Sequence, residues 1–242
     1  MSLLVLMYHR ASAGRFGNSP AMLDAHFQHI ATNYPTVMPG EPLQPQTPNV
    51  CISFDDGYYD FYARIFPLLQ RHKLRALLAI PSSVIFERTD APESRRLEQS
   101  NQESFNHPSQ GGFCTWPELE EMAASGHVTV AAHGFTHRAL DDPKADLNTE
   151  VHAPKTILGS RLDQKIESFV FPFGRFSRPA LFEARQRYRY VFRIGGALNR
   201  HWESRVLYRI DADEMTAPSA LFRRDNLTRY QTRFLWNRLR FR

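Results

Sequence analysis

The chain has 242 residues, 42% of them hydrophobic, enough for one sizeable core and a length at which α/β barrels form a single domain. No apolar stretch approaches the ~20 residues of a membrane-spanning helix, and two cysteines, Cys51 and Cys114, do not make a disulfide framework, which fits a reducing, cytoplasmic setting. The net charge of +5 is unevenly placed: residues 221–242 contain seven arginines and one aspartate, and the rest of the chain is close to neutral.

In chain order, apolar runs bounded by turn signals predict strands at residues 3–8, 50–54, 76–80, 127–132, 168–171, 189–194 and 205–210. The first run, closed by His9, lacks the positive start and small-residue cleavage site of a signal peptide and reads as a strand. Met22, Leu23, Phe27 and Ile30 fall near one face of a helix. Five prolines within 35–48 predict an extended connection. Phe61, Ile65, Leu68 and Leu69 again have helical spacing, with Pro67 expected to bend or break the helix.

Residues 86–114 are polar and without clear period. They are expected to form a lid, a binding loop or a locally disordered segment near the C-terminal ends of the strands, where sites form. Thr115-Trp116-Pro117-Glu118 is a capping-box start, Gly126 ends that helix, and residues 144–158 and 178–187 supply two more helices. Strands alternating with helices imply a parallel sheet, and about seven units favour a barrel over an open sheet. In the basic tail, arginines alternate with Leu227, Tyr230, Phe234, Leu235, Trp236, Leu239 and Phe241. Such a segment is either a terminal helix packed on the body or an amphipathic surface for an anionic membrane; nucleic acid is not expected as a partner.

Two sites carry chemistry. The run Val50-Cys51-Ile52-Ser53-Phe54 ends in Asp55-Asp56-Gly57, and about eighty residues later comes His133-Gly134-Phe135-Thr136-His137. Adjacent carboxylates cost free energy unless a cation sits beside them. One carboxylate and two imidazoles can hold a divalent metal and leave the second carboxylate free as a base. Taken alone, the acidic pair also reads as an Asx turn closing a loop, and the histidines as ordinary turn residues.

The combination resembles the polysaccharide deacetylases, the NodB-like carbohydrate esterases (family 4). Ser53-Phe54-Asp55-Asp56-Gly57 looks like their first motif and His133-Gly134-Phe135-Thr136-His137 like the second, with Gly134 where Ser or Thr is usual. Phe171-Pro172-Phe173-Gly174 and Leu6-Met7-Tyr8-His9 resemble motifs of the bacterial surface-polysaccharide variant, in which the motif order is circularly shifted. The resemblance runs from about residue 3 to 211. It implies a distorted (β/α) barrel of about seven parallel strands, with residues 1–220 as catalytic body and 221–242 as basic tail.

By resemblance, Asp56, His133 and His137 hold a divalent metal, most often zinc. Asp55 is the general base, His9 the general acid, and the backbone N–H of Phe173, beside Pro172, an oxyanion donor. The implied reaction is removal of N-acetyl groups from an amino sugar in a glycan or glycolipid precursor, at the inner face of the membrane for a cytoplasmic relative. A non-sugar amide as substrate and a non-catalytic carbohydrate-binding relative are the alternatives. The family's arginine two residues before the third-motif proline is here Val170, which makes Arg209 the candidate to orient Asp55. The usual C-terminal histidine motif is absent, which makes His9 its replacement, and Gly134 removes a hydroxyl that braces the His loop, which predicts weaker metal affinity.

Overall fold

A computed structural model describes residues 1–240; Phe241 and Arg242, the last two residues of the basic tail, lie outside the described residues. Seven strands, β1 (Ser2–Tyr8), β2 (Pro48–Asp55), β3 (Ala76–Ile80), β4 (Val128–Ala132), β5 (Ser168–Val170), β6 (Tyr190–Ile194) and β7 (Leu207–Asp211), are all parallel and close in chain order. The helices are α1 (Pro20–Asn33), α2 (Phe66–Arg71), α3 (Glu93–Glu98), α4 (Asn101–Asn106), α5 (Trp116–Ala124), α6 (Ala153–Leu162), α7 (Arg178–Arg187) and α8 (Arg224–Arg240).

Strands buried on both faces read as continuous apolar runs, which is why their positions are legible in the sequence. One parity points into the barrel: Leu3, Val5, Cys51, Leu77, Ala79, Ala131, Val170, Phe192 and Leu207 form an inner cluster. Several of these are small, as the narrow interior of a seven-stranded barrel requires. The other parity, including Leu4, Leu6, Val50, Ile52, Phe54, Leu78, Val130 and Phe169, packs against the helices. The inward parity carries on to the strand ends. Asp55 follows Cys51 and Ser53, His133 follows Ala131, and Arg209 follows Leu207. Chemistry-bearing side chains are therefore aimed at the barrel mouth by the same alternation that fills its core.

The segment around Pro67 stays helical. A π turn at Phe61–Ile65 leads into α2, and Pro67 sits in the first turn of α2. The same device recurs at Asn148–His152 before Pro154. A wider turn accommodates the missing N–H of the proline where a regular α turn would break.

Residues 86–114, which show no sequence period, are ordered into α3, α4 and a 3₁₀ turn at Pro108–Gln110. Six-residue helices are too short for a hydrophobic stripe to repeat, so the signal could not be read. Buried Arg96 ties the segment down. Its guanidinium donates to the Gly111 and Phe113 carbonyls at 2.8 and 3.0 Å, makes a two-pronged pair with Glu118 at 2.7 and 2.9 Å, and lies 3.4 Å from the centre of the Tyr59 ring.

β6 and β7 are joined by residues 195–206 without a helix. α8 lies beside this connection: the Leu198 N–H donates to the Tyr230 carbonyl at 3.4 Å, and the Asn237 side-chain amide to the Gly195 carbonyl at 3.2 Å. Tyr230 and Phe234 are buried, so one face of the basic tail packs on the body, while Leu235, Trp236 and Leu239 on another face are 59–64% exposed.

Arg96→Ala removes a charged, bidentate hydrogen-bonding set and is expected to cost about 2 kcal/mol or more. Amide exchange in residues 93–113 should accelerate while the strands stay protected; uniform exchange across the chain would show that Arg96 does not hold this segment.

Candidate active site

β2 ends in a turn that turns Asp56 toward the axis already addressed by Asp55. The Gly57 N–H donates to the Asp55 carbonyl at 2.9 Å, a three-residue turn with Asp56 at its centre and in the left-handed region (φ 72°). Gly57 has φ 71°, and a Cβ there would stand 2.5 Å from Ile80 Cδ1, so any other residue at the third position of Asp-Asp-Gly is strained and must displace the Ile80 side chain. His133 closes β4. Its backbone N–H donates to the Ile80 carbonyl at 2.9 Å, and its Nδ1 lies 2.8 Å from the Val170 carbonyl, which fixes Nδ1 as the protonated nitrogen and leaves Nε2 as a lone pair. His137 has φ 61°, and its ring sits between Phe105 and Phe173, each with its centre 4.6 Å away.

The three sequence-predicted ligands converge. His137 Nε2 and His133 Nε2 lie 3.2 and 3.6 Å from Asp56 Oδ1, and one ligand atom from each residue falls within 4.8 Å of the others. Burial pushes both imidazoles down to about 4, so both are neutral and able to donate lone pairs. Asp56 Oδ1 is buried with no hydrogen-bond partner, and burial raises the Asp56 carboxyl above its usual range. A buried, unpartnered carboxylate oxygen facing two neutral imidazole nitrogens is the donor set of a divalent cation, and the residues fit one.

Arg209 and Asp55 form a two-pronged ion pair at 2.6 and 2.7 Å, with both residues almost wholly buried. Arg209 pairs with Val5, and Val5 with Cys51, so in register Arg209 starts four residues before Asp55, and its long side chain runs up the inward-facing side of the barrel to meet Asp55 at the mouth. The inward-facing Val170 adds no charge on β5, and the cation comes from β7. Burial alone would raise the Asp55 carboxyl, but Arg209, with His133 and His9, holds it well below the usual carboxylate range.

His9 stands at the end of β1, with Nε2 3.9 Å from Asp55 Oδ2. Its Nδ1 is 2.6 Å from Asp213 Oδ2, and its backbone N–H donates to Asp213 Oδ1 at 3.2 Å. Burial pulls the imidazolium down, but the Asp213 hydrogen bond and the charges of Asp55 and Asp56 outweigh it and push His9 up to about 9. Pro172 and Phe173 flank the His loop: Phe173 is left-handed (φ 57°), its side chain 57% exposed beside His137.

Sequence reasoning missed three residues. Asp213 follows β7 as Asp55-Asp56 follows β2, and an Asp-x-Asp at a strand end was the available signal. Phe105 lies in a segment with no period. Glu150 is the third: its Oε2 accepts from the N–H groups of Phe135 and Thr136 at 3.0 Å each, and the Thr136 hydroxyl donates to Oε1. Glu150 therefore braces the His loop in place of the hydroxyl that position 134 lacks. Gly134 has φ 76°, and a Cβ there would meet Glu150 Oε2 at 3.2 Å, so the glycine leaves room for the brace.

With the geometry established, comparisons with known proteins define the class. The family model for polysaccharide deacetylase matches residues 43–191, more than half of the chain, and the chain belongs to that family. Among curated proteins it is 32% identical over 94 residues to the poly-β-1,6-N-acetyl-D-glucosamine N-deacetylase of Escherichia coli K12. That match covers 39% of this chain and 12% of the relative's length. Its fold is similar to IcaB from Ammonifex degensii (TM-score 0.71, 20% identity, 88% of this chain and 92% of that one). It is also similar to the Streptococcus pyogenes deacetylase PplD in complex with acetate (TM-score 0.71, 20% identity, 96% and 98%).

Two outcomes check the site. Arg209→Met leaves Asp55 buried without its partner and should lower stability by ~3–5 kcal/mol; denaturation at neutral and acid pH should show the loss shrinking as Asp55 takes up a proton. Glu150→Ala should weaken zinc affinity about tenfold or more by isothermal titration; unchanged affinity would show that the loop needs no brace.

Proposed function

We propose that this protein is a metal-dependent N-deacetylase acting on an N-acetylated amino sugar in a cell-envelope glycan or lipid-linked glycan precursor. The observation that carries the reading is the juxtaposition of an unpartnered Asp56 oxygen and two neutral imidazoles with the Arg209-locked Asp55. A divalent metal, most simply zinc, held by Asp56, His133 and His137 would supply an activated water at neutral pH.

The remaining chemistry belongs to the chain. Asp55 stays ionised throughout the working pH range, and Arg209 fixes its orientation, so it is poised to accept a proton on the side facing the metal ligands. His9 remains protonated at neutral pH because Asp213 holds its Nδ1, which leaves Nε2 to hand a proton to the departing amine. The Phe173 N–H, presented by a left-handed turn beside Pro172, is the oxyanion donor on this reading. The exposed rings of Phe173 and of Phe16, whose centre is 6.0 Å from that of His9, offer faces on which sugar rings stack. We place the protein in the cytoplasm, with the basic helix α8 resting on the inner face of the membrane.

Purified protein is expected to hold one divalent metal that His133→Ala loses, and to release acetate from N-acetylhexosamine oligomers but not to open cyclic amides. Asp55→Asn should retain the metal and lose roughly a hundredfold or more in kcat; full activity in Asp55→Asn, with or without metal, would instead mark a non-catalytic role for the acidic pair. Because the active form of His9 is protonated, activity should fall as pH rises through its pKa. Asp213→Asn, which removes the group raising that pKa, should move the alkaline limb to lower pH; an unmoved limb would exclude His9 as the acid.

A further inference from the structure

The missing helix between β6 and β7 leaves a cavity of about 870 Å³ on the barrel wall, bordered by α7 and α8. Four arginines line it from three separate segments: Arg178 at the start of α7, Arg200 and Arg205 from the β6–β7 connection, and Arg238 from α8. The guanidiniums of Arg200 and Arg238 lie 5.9 and 5.8 Å from the centre of the same ring, Phe234. The lining also holds one carboxylate, Glu203, 3.4 Å from His201, and among the described residues none of the four arginines has a carboxylate partner. Four cationic groups from distant parts of the chain against one carboxylate give the cavity a net positive charge that attracts an anion. The floor is apolar, with Leu181, Val206, Tyr208 and Phe234. Further round α8 from Phe234 and Arg238, Leu235, Trp236 and Leu239 face solvent at 59%, 62% and 64% exposure.

We propose that this cavity takes the phosphate of an anionic phospholipid headgroup while the outer face of α8 enters the lipid interface. The combination selects the occupant: a free anion would use the arginines and leave the three apolar side chains in water, whereas a bilayer surface satisfies both. A nucleic acid would satisfy the charge but gives the aliphatic Leu235 and Leu239 no partner. The inference deepens the membrane placement proposed above and names its contact; it does not depend on the deacetylase chemistry, since none of these residues belongs to the active site.

Trp236 supplies an internal reporter. The other two tryptophans, Trp116 and Trp202, are buried, so a change in emission on binding comes from α8. The full-length protein should co-sediment with phosphatidylcholine vesicles containing phosphatidylglycerol and not with phosphatidylcholine alone. Its emission should shift to the blue, and binding should weaken as salt is raised. Arg200→Glu/Arg205→Glu should lower partitioning about tenfold or more, and the milder Arg200→Gln/Arg205→Gln by less. Both should leave acetate release from a soluble oligosaccharide unchanged. Trp236→Ala should bind more weakly and lose the shift.

Wild-type binding by either double variant, equal binding to neutral vesicles, or retention of inorganic phosphate or nucleic acid without vesicle binding would each overturn the proposal. A protein that binds anionic vesicles as described but releases no acetate would overturn the deacetylase reading alone.

Discussion

The ion pair between Arg209 and Asp55 is the constraint around which the mouth of the barrel is arranged. Both partners are almost fully buried, where an unpaired charge would be expensive and a two-pronged pair is held in one geometry. Once Asp55 is claimed by Arg209, the neighbouring Asp56 cannot share that cation. It is left with an unpartnered oxygen aimed at two neutral histidines. Two adjacent carboxylates with the same local sequence thus acquire opposite electrostatics: one held ionised by a guanidinium, the other raised by burial until a cation arrives. That division is what a hydrolytic site needs, because a metal ligand and a proton acceptor cannot be the same group.

The site is held in place by strain with local bracing. Asp56, His137 and Phe173, three non-glycine residues, all adopt left-handed backbone, a conformation that persists only where surrounding contacts enforce it. At Asp56 the enforcement is the tight turn closed by Gly57. At the His loop it is Glu150, which collects two backbone N–H groups and a hydroxyl. His133 is fixed by the Val170 carbonyl and His9 by Asp213. Each chemically important side chain therefore has a second group that sets its orientation or tautomer, as metal and acid–base sites require. The closed barrel holds the segments that carry these supports, from the end of β5 to the turn before α6 and the residues after β7, in fixed register around its mouth.

Family membership and fold agree with this arrangement, and the scale of the relatives sets how far they reach. The chain spans only 12% of the length of the Escherichia coli deacetylase it matches, while the IcaB and PplD structures are covered almost completely and share about a fifth of its residues. Outside the barrel core lie the ordered segment around Arg96, which puts Phe105 against His137, and the arginine-lined wall beside α8.

The sequence alone determined the barrel and the candidate cluster of Asp56, His133 and His137. Its seven strands are buried on both faces and so announce themselves as uninterrupted apolar runs, and Asp55-Asp56-Gly57 and His133–His137 are contiguous motifs whose spacing is local. Arg209 was reachable only by elimination, from the missing charge at Val170. The partners of the site were not legible at all. Asp213 meets His9 across some two hundred residues, Glu150 meets its loop from fourteen residues further on, and Arg96 orders a segment whose helices are too short to show a period. Only the tertiary structure decided these pairings, because burial, register and the left-handed turns that aim the side chains arise when the barrel closes. The same closure decided the fate of the basic tail. Its composition allowed a packed helix or a membrane-facing one, and packing of Tyr230 and Phe234 against the body left Leu235, Trp236 and Leu239 exposed on the far side of α8.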